Sequence, residues 1–241
     1  MSVSFDAPKS IENRLLAALP ASEYQRLIPH LELVELSHHQ VLYESGELIS
    51  HVYFVNEGMV SLVSIMENGE TVEVGLVAKE GMVGMPVCWG GNTTTITAMV
   101  QISGNAMRMR AEVLKTEFNL GGSLQSLLLR YTQALYTLVS QSAACNRLHT
   151  LEERLARWLL TVGDRMQSDT FELTQEFISH MLGTRRSGVT VAASTLSQAG
   201  MIRYTRGKIT ILNQESLKST ACECYGVVKD EYARLLGTGS D

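Results

Sequence analysis

Short runs of β-forming residues, separated by turn residues, fill the segment from Val34 to Arg110. The runs recur at near-regular spacing and are Val41–Tyr43, Val52–Val55, Met59–Met66, Thr71–Val77, Thr95–Gln101 and Ala106–Arg110. Asn68-Gly69 lies between two of them and is a strong hairpin signal, because a tight turn needs positive φ at both positions. Many short strands at this spacing predict a β-roll or β-sandwich for the front half of the chain.

A heptad row of mostly apolar residues follows the strands. Its members are Leu124, Leu128, Tyr131, Leu135, Leu138, Ser142 and Cys145. Such spacing over about three heptads predicts a helix of some 25 residues, about 38 Å long. A second apolar face contains Leu127, Leu129, Tyr136 and Val139, so that a helix buried within its own domain is the alternative. We favour a dimer in which the heptad row meets the partner and the second face packs on its own domain.

The segment Leu173–Leu196 has the spacing of a helix-turn-helix. Thr174 is placed to cap a first helix, in which Ile178 and Leu182 form the apolar face. Gly183 ends that helix and supplies the backbone freedom that the turn requires. The apolar face continues into a second helix, at residues 185–197, through Val189, Ala192, Ala193 and Leu196.

Two β-runs follow this motif and are joined by Arg206-Gly207-Lys208, which predicts a wing. Basic residues concentrate in the motif and in this wing. Residues 173–212 hold five Lys and Arg against one acidic residue, Glu176, a net charge of +4. Arg185 and Arg186 stand at the start of the second helix, where a recognition helix meets base edges, and arginine matches the acceptor pair of guanine. A helical hairpin whose arginines pair with carboxylates is disfavoured, because the segment offers only one. The predicted DNA contacts are Thr174, Gln175, Thr184, Arg185, Arg186, Ser187, Thr190, Arg206 and Lys208.

The net charge of the 241 residues is −5, which by itself argues against nucleic-acid binding. The charge is unevenly distributed, however, so this argument does not hold for each part of the chain. Residues 1–120 contain 7 Lys and Arg against 14 Asp and Glu, whereas residues 121–241 contain 13 against 11. A composition of 45% hydrophobic and 19% charged residues is that of a globular protein and excludes a disordered or repetitive chain. No run approaches the ~18 apolar residues of a membrane span, and no signal peptide is visible. We therefore expect a cytoplasmic protein with no membrane partner.

This order of segments resembles the Crp/Fnr family of bacterial transcription regulators. Tyr43-Glu-Ser-Gly46-Glu47 and Val52–Val60 are similar to the early strands of the cyclic-nucleotide-binding fold, and the resemblance runs from about Pro20 to Asn213. It implies a homodimer that binds double-stranded DNA at a two-fold-symmetric operator, with RNA polymerase as a candidate second partner. It also makes Arg186 a base-reading arginine and Lys208 a phosphate contact.

The resulting expectation is an α+β fold in three parts. Residues 1–115 form a jelly-roll-like β-roll, residues 116–147 a dimerisation helix, and residues 148–241 a winged helix-turn-helix with a C-terminal helix. Ser187 and Val191 depart from the residue types that relatives commonly carry at these positions, so the operator is expected to differ from the best-known family sequence.

The stretch from Gly84 to Ala98 departs from the family's nucleotide pocket. Relatives that bind cyclic nucleotides carry a glutamate after the glycine and an arginine shortly before the alanine, and this chain has neither. Burial of an unpaired phosphate charge costs several kcal/mol, so cyclic AMP and cyclic GMP are not expected as effectors, and we predict no cofactor. The candidate effector-pocket residues are Met85, Trp89, Thr94 and Thr95, although core and loop packing explains them equally well.

The spacing of the cysteines in the sequence predicts no metal site. Cys222 and Cys224 are expected within one amphipathic helix from Leu217 to Leu235, where residues two apart point to different sides and chelate poorly. The chain shows no nucleophile–base pair or phosphate loop, so we predict that it is not an enzyme. The alternative function is a ligand- or redox-responsive sensor, cysteine-based or haem-type, whose output is protein contact. A redox or metal sensor that uses Cys222, Cys224, Cys145 or His149 is the less favoured version of this alternative.

Overall fold

A computed structural model of the chain describes residues 11–237 and has the α+β architecture expected. Two short 3-10 helices, Ile28–His30 and Met85–Trp89, supplement the regular elements. In chain order these are α1 (Arg14–Ala17), α2 (Ala21–Leu27), β1 (Glu32–Leu36), β2 (Val41–Tyr43), β3 (His51–Ile65), β4 (Thr71–Val77), β5 (Met82–Val83), β6 (Thr97–Arg110), α3 (Ala111–Asn119), α4 (Gly122–Leu148), α5 (Leu151–Met166), β7 (Thr170–Glu172), α6 (Gln175–Met181), α7 (Arg186–Gln198), β8 (Ile202–Thr205), β9 (Lys208–Ile211), α8 (Gln214–Thr220) and α9 (Cys224–Leu236). None of the helices within residues 11–237 is long and apolar enough to cross a membrane.

Strands β1 to β6 form one antiparallel sheet that curls into a roll. The order is β1-β6-β3-β4, with β2 paired to β6 and β5 paired to β3. The two longest strands, β3 and β6, lose their register around Gly58 and Gly104, between the pairs Glu57–Asn105 and Met59–Ile102. A side chain at Gly58 would collide with the Ile102 carbonyl oxygen, and one at Gly104 with the Glu57 carbonyl oxygen. These glycines permit the irregular pairing that bends both strands, which curls the sheet.

The hairpin predicted at Asn68-Gly69 joins β3 to β4, but its turn differs from the expected one. Only Gly69 has positive φ, +82°, and its amide donates to the Met66 carbonyl at 2.9 Å. Asn68 acts through its side chain, because its Oδ1 accepts from the Glu70 amide at 3.0 Å. The turn is therefore longer than a two-residue hairpin.

The heptad row of α4 is buried within its own chain. Six members of the row are between 0 and 5% exposed: Leu124, Leu128, Tyr131, Leu135, Leu138 and Cys145. The seventh, Ser142, is half-buried beside α5. Most of the row joins the hydrophobic core of the β-roll, where the Tyr131 hydroxyl donates to the Met82 carbonyl at 3.1 Å. The prediction that this row meets a partner is therefore wrong, and the second face packs on its own domain only in part, through Leu127, which is 3% exposed and belongs to the same core. The row of larger apolar side chains fills the core, whereas Leu129 and Tyr136 are 53% and 72% exposed.

The C-terminal segment forms two helices instead of the one predicted from Leu217 to Leu235. The chain leaves helical geometry at Ala221, with ψ of 146°, and turns back along α4. The apolar side chains of α9 that face α4 belong to the β-roll core and are Val228, Tyr232 and Leu235. The Arg130 guanidinium donates to the Leu235 carbonyl at 3.0 Å. Helix α9 also contacts α5, where the Tyr225 hydroxyl donates to the Asp164 carboxylate at 2.6 Å, so it packs on both the long helix and the winged helix.

Helix α4 is capped by a residue from a distant part of the sequence. Gly121 and Gly122, at its N-terminus, have no side chain that could accept from the first amides. The carboxylate of Glu23 on α2 accepts from the Ser123 and Leu124 amides at 3.0 and 2.8 Å. These two hydrogen bonds lower the pKa of Glu23.

The winged-helix part packs directly on the β-roll. Its core continues into Met59, Val63, Leu76 and Ala78 of β3, β4 and the segment after them. The indole of Trp158 donates to the Glu73 carboxylate at 3.0 Å, and Arg165 pairs with Glu80 at 3.3 Å. Burial raises the pKa of Glu73, although hydrogen bonds from Ser61 and Trp158 oppose that effect. Polar contacts thus fix how the winged helix sits on the roll.

Candidate nucleic-acid interface

Helices α6 and α7 form the helix-turn-helix that the sequence predicts. The Thr174 hydroxyl accepts from the Phe177 amide at 3.1 Å and so caps α6. Gly183 has φ of +55° in the turn, where the Thr184 amide donates to the Ser179 carbonyl at 2.9 Å. The predicted apolar face of α7 is confirmed, with exposures of 0 to 4% at Val189, Ala192, Ala193 and Leu196. Burial of this face fixes which residues of α7 point outward.

The outward face of α7 begins with Arg185 at the N-cap position and Arg186 in the first turn. Both arginines and Ser187 are exposed, as is Thr190 one turn later. The Thr190 hydroxyl donates to the Gln175 side-chain oxygen at 2.8 Å, which joins the start of α6 to this face. Because the N-terminus of a helix carries partial positive charge, this end of α7 favours anions.

The wing consists of β8 and β9 joined by a two-residue turn, Arg206-Gly207. Both residues have positive φ, 51° and 78°, and Lys208 opens β9 opposite Thr205. The Leu173 amide donates to the Gly207 carbonyl at 2.7 Å, which ties the wing to the start of α6. The wing is therefore confirmed, with a turn one residue shorter than the predicted connection.

The cations of this surface are available to an external anion. Arg185, Arg186, Arg203, Arg206 and Lys208 are all exposed. Within residues 11–237 none of them forms an ion pair with a carboxylate. The hydrogen bonds from α7 to α6 and from the start of α6 to the wing make the surface continuous. Of the predicted contacts, Thr184 and Gln175 are half-buried and the remaining seven are exposed.

A cavity of about 450 Å³ lies between the β-roll and α4. Three of the predicted pocket residues line it, Met85, Trp89 and Thr94. Thr95 does not, because Thr94 and Ile96 turn inward and the residue between them is exposed. The Trp89 indole donates to the Thr132 hydroxyl of α4 at 3.1 Å. No charged side chain of the described residues lines the cavity.

The other residues that line the cavity were not predicted from the sequence, and most of them belong to other elements. These residues are Tyr43, Leu62, Val74, Met82, Val83, Gly84, Pro86, Ile96, Thr132, Leu135, Tyr136 and Val139. Burial raises the pKa of the Tyr43 hydroxyl, which keeps it uncharged. The second apolar face of α4, which includes Tyr136 and Val139, is a sequence signal for part of this set, although packing on its own domain is the use that the sequence favours for that face.

Family models match both parts of the chain. Residues 33–119 match the cyclic nucleotide-binding domain and residues 153–220 the Crp-like helix-turn-helix domain. The chain belongs to the Crp/Fnr family. The matched Crp-like helix-turn-helix domain makes the chain a DNA-binding transcription regulator. A search of curated protein sequences gives no match.

Solved structures of other proteins have the same fold. FixK2 from Bradyrhizobium japonicum is 17% identical with a TM-score of 0.70, covering 80% of this chain and 98% of its own. A transcriptional regulator of the family from Eubacterium rectale is 16% identical with a TM-score of 0.68, covering 86% and 96%. A CRP-family regulator from Thermus thermophilus is 18% identical with a TM-score of 0.65, covering 78% and 96%.

Proposed function

We propose that the chain works as a homodimer that recognises a two-fold-symmetric operator through the first turn of α7. In this proposal Arg186 contacts a base edge in the major groove, and Lys208 at the wing contacts a phosphate. The observation that carries it is the exposed Arg186, free of any carboxylate partner in the described residues and standing at the N-terminal end of α7. Base-edge contacts specify sequence, whereas phosphate contacts supply affinity for any duplex.

The exposed row of α4 supports the dimer. Leu129, Thr132, Tyr136, Val139 and Ala143 are separated by three, four, three and four residues, which is again heptad spacing. Leu129 and Tyr136 present most of the apolar area of the row to solvent. We therefore assign the dimer interface to this row in place of the buried one. A parallel pairing of two α4 helices would relate the two α7 helices by two-fold symmetry, as a symmetric operator requires.

The cavity supports an uncharged, largely apolar effector. A cyclic nucleotide would place its phosphate among Met85, Trp89 and other groups that carry no positive charge. Thr132, Tyr136 and Val139 belong both to the cavity wall and to the exposed row of α4. A ligand in the cavity would therefore touch the helix that pairs the two copies. Contact with RNA polymerase stays a prediction.

Electrophoretic mobility and footprinting on a selected symmetric duplex test the DNA-binding mode. Arg186→Ala should lower the discrimination at one base position by about 1–3 kcal/mol, roughly ten- to hundredfold. Lys208→Ala should weaken binding to all duplexes alike and reduce the slope of log affinity against log salt by about 1. Lys115→Ala, on α3, is a control that should change neither quantity. Equal affinity of the unmodified protein for selected and random duplexes would refute sequence-specific recognition.

A further inference from the structure

Three cysteines and one histidine meet where α9 begins to pack on α4. Cys145 and His149 lie four residues apart, at the end of α4, and therefore on one face of it. Cys222 lies in the turn after α8, and Cys224 opens α9. The three sulfur atoms and a ring nitrogen of His149 all lie within 4.8 Å of one another. The non-helical turn at residues 221–223 brings Cys222 and Cys224 to the same side, which a continuous helix would have prevented.

The distances suit a single metal ion. The Cys145 and Cys222 sulfurs are 3.5 Å apart, and the Cys224 sulfur is 3.5 Å from His149 Nδ1. Sulfur ligands about 2.3 Å from a tetrahedral zinc ion lie about 3.8 Å from one another. Ligand sulfurs of an iron–sulfur cluster lie farther apart, because they bind different iron atoms. A set of three sulfurs and one imidazole is a usual composition of structural zinc sites.

The groups around the cluster orient its ligands. His149 turns Nδ1 toward the sulfurs, while its Nε2 lies 3.1 Å from a Glu223 carboxylate oxygen. A ligating histidine commonly donates its other ring N–H to a carboxylate in this way, which fixes the tautomer. The Gln141 side-chain amide donates to the Cys224 sulfur at 3.2 Å. Arg157 acts electrostatically on Cys145 and would balance the negative charge of a zinc ion with three thiolates.

Ordinary core packing does not account for this arrangement. The three cysteines form a buried cluster separate from the two large hydrophobic cores. Apolar packing places no requirement on the direction of an imidazole nitrogen, and it gives no role to Glu223, whose side chain is 71% exposed.

We propose that Cys145, His149, Cys222 and Cys224 bind one Zn²⁺ ion that fastens the start of α9 to the end of α4. Binding displaces the three thiol protons to solvent, the neutral imidazole supplies the Nδ1 lone pair, and no group is oxidised or reduced. The site lies outside the DNA-binding surface and the β-roll cavity, so it is independent of the function proposed above.

Metal analysis of the full chain, purified under reducing conditions without chelator, tests the proposal. We expect about one zinc ion per chain in the unmodified protein and in Cys88→Ser, whose thiol lies outside the cluster. Cys222→Ser and Cys145→Ser should each lose most of it. Cobalt(II) added to the metal-free chain should give the intense visible bands of a tetrahedral thiolate site. Absence of both zinc and the cobalt spectrum, or a Cys145–Cys222 disulfide in the reduced preparation, would overturn the site.

Glu223→Gln provides a test that does not depend on a buried residue. Because Glu223 is exposed, this variant should fold like the unmodified protein, and loss of the partner of His149 should weaken zinc binding about 10- to 100-fold. Competition with a chromogenic chelator measures the affinity. Equal affinity in the variant and the unmodified chain would refute the role of Glu223 as the carboxylate partner of a ligating His149.

Discussion

Replacement of Leu129 by aspartate should separate the two copies of the protein without unfolding either. Leu129 is 53% exposed in a single chain, so about half of its side chain is left for a partner to cover. Full burial of a leucine contributes about 1.5–3 kcal/mol, which leaves about 1 kcal/mol per copy and about 2 kcal/mol for a symmetric pair. Two carboxylates facing each other add at least about 1 kcal/mol of repulsion. The total, about 3 kcal/mol, corresponds to a dimer Kd raised roughly a hundredfold.

Sedimentation equilibrium over a range of protein concentrations measures this Kd directly. Leu48→Asp is the matched control, because Leu48 is 66% exposed in a loop of the β-roll, outside α4. It makes the same chemical change and should leave the Kd unchanged. Urea unfolding of Leu129→Asp at a concentration where it is monomeric should show that the monomer remains folded. On a symmetric duplex the variant should lose most of its affinity, while binding to a single half-site changes little.

An unchanged Kd in Leu129→Asp would contradict the assignment of the exposed row as the interface. A protein that is monomeric before any substitution would contradict the homodimer itself. Both results are distinct from misfolding, which the urea experiment detects.

Three further outcomes follow from the structure. Leu138→Ala should lower the free energy of unfolding by about 2–5 kcal/mol without weakening the monomer–monomer contact, as urea unfolding and sedimentation would show, because Leu138 is buried in its own chain. Glu23→Gln should cost about 1 kcal/mol at neutral pH. Because the folded pKa of Glu23 is lowered, its contribution is present above pH 4.5 and lost as the pH falls through the folded value, so thermal denaturation of the variant should lack that part of the acid dependence. An apolar dye should bind the cavity and change Trp89 fluorescence, whereas cyclic AMP should do neither.

The helix-turn-helix and wing could be predicted because local interactions determine them. Thr174 caps α6 from three residues away, Gly183 ends the helix with positive φ, and Arg206-Gly207 closes a two-residue turn. Each signal acts within a few residues, so the sequence contains the whole determinant. The exposure of the arginines could be predicted as well, since burial of the opposite face of α7 leaves them on the outside.

The sequence could not show which face of α4 is buried. It also could not show that the cysteines meet. Both rows of α4 have heptad spacing, and only the shape of the β-roll and α9 decides which one is buried. Cys145 and Cys222 are 77 residues apart and meet because the chain breaks after Thr220. No glycine or proline marks that break. The cap of α4 by Glu23 is equally non-local, since it spans about a hundred residues.

The position of α9 in the chain determines when, during synthesis, the hydrophobic core can be completed. Synthesis proceeds from the N-terminus at about 5–20 residues per second, so the β-roll, α4 and the winged helix all leave the ribosome before α9 does. Until α9 is complete, the part of α4 that it covers is open to water, and the nascent chain carries apolar surface that chaperones can bind. The part of the native core that α9 completes therefore closes only after the winged helix has been made. A fusion partner attached after Leu236 would be translated directly behind α9, and a short flexible linker would let α9 dock first.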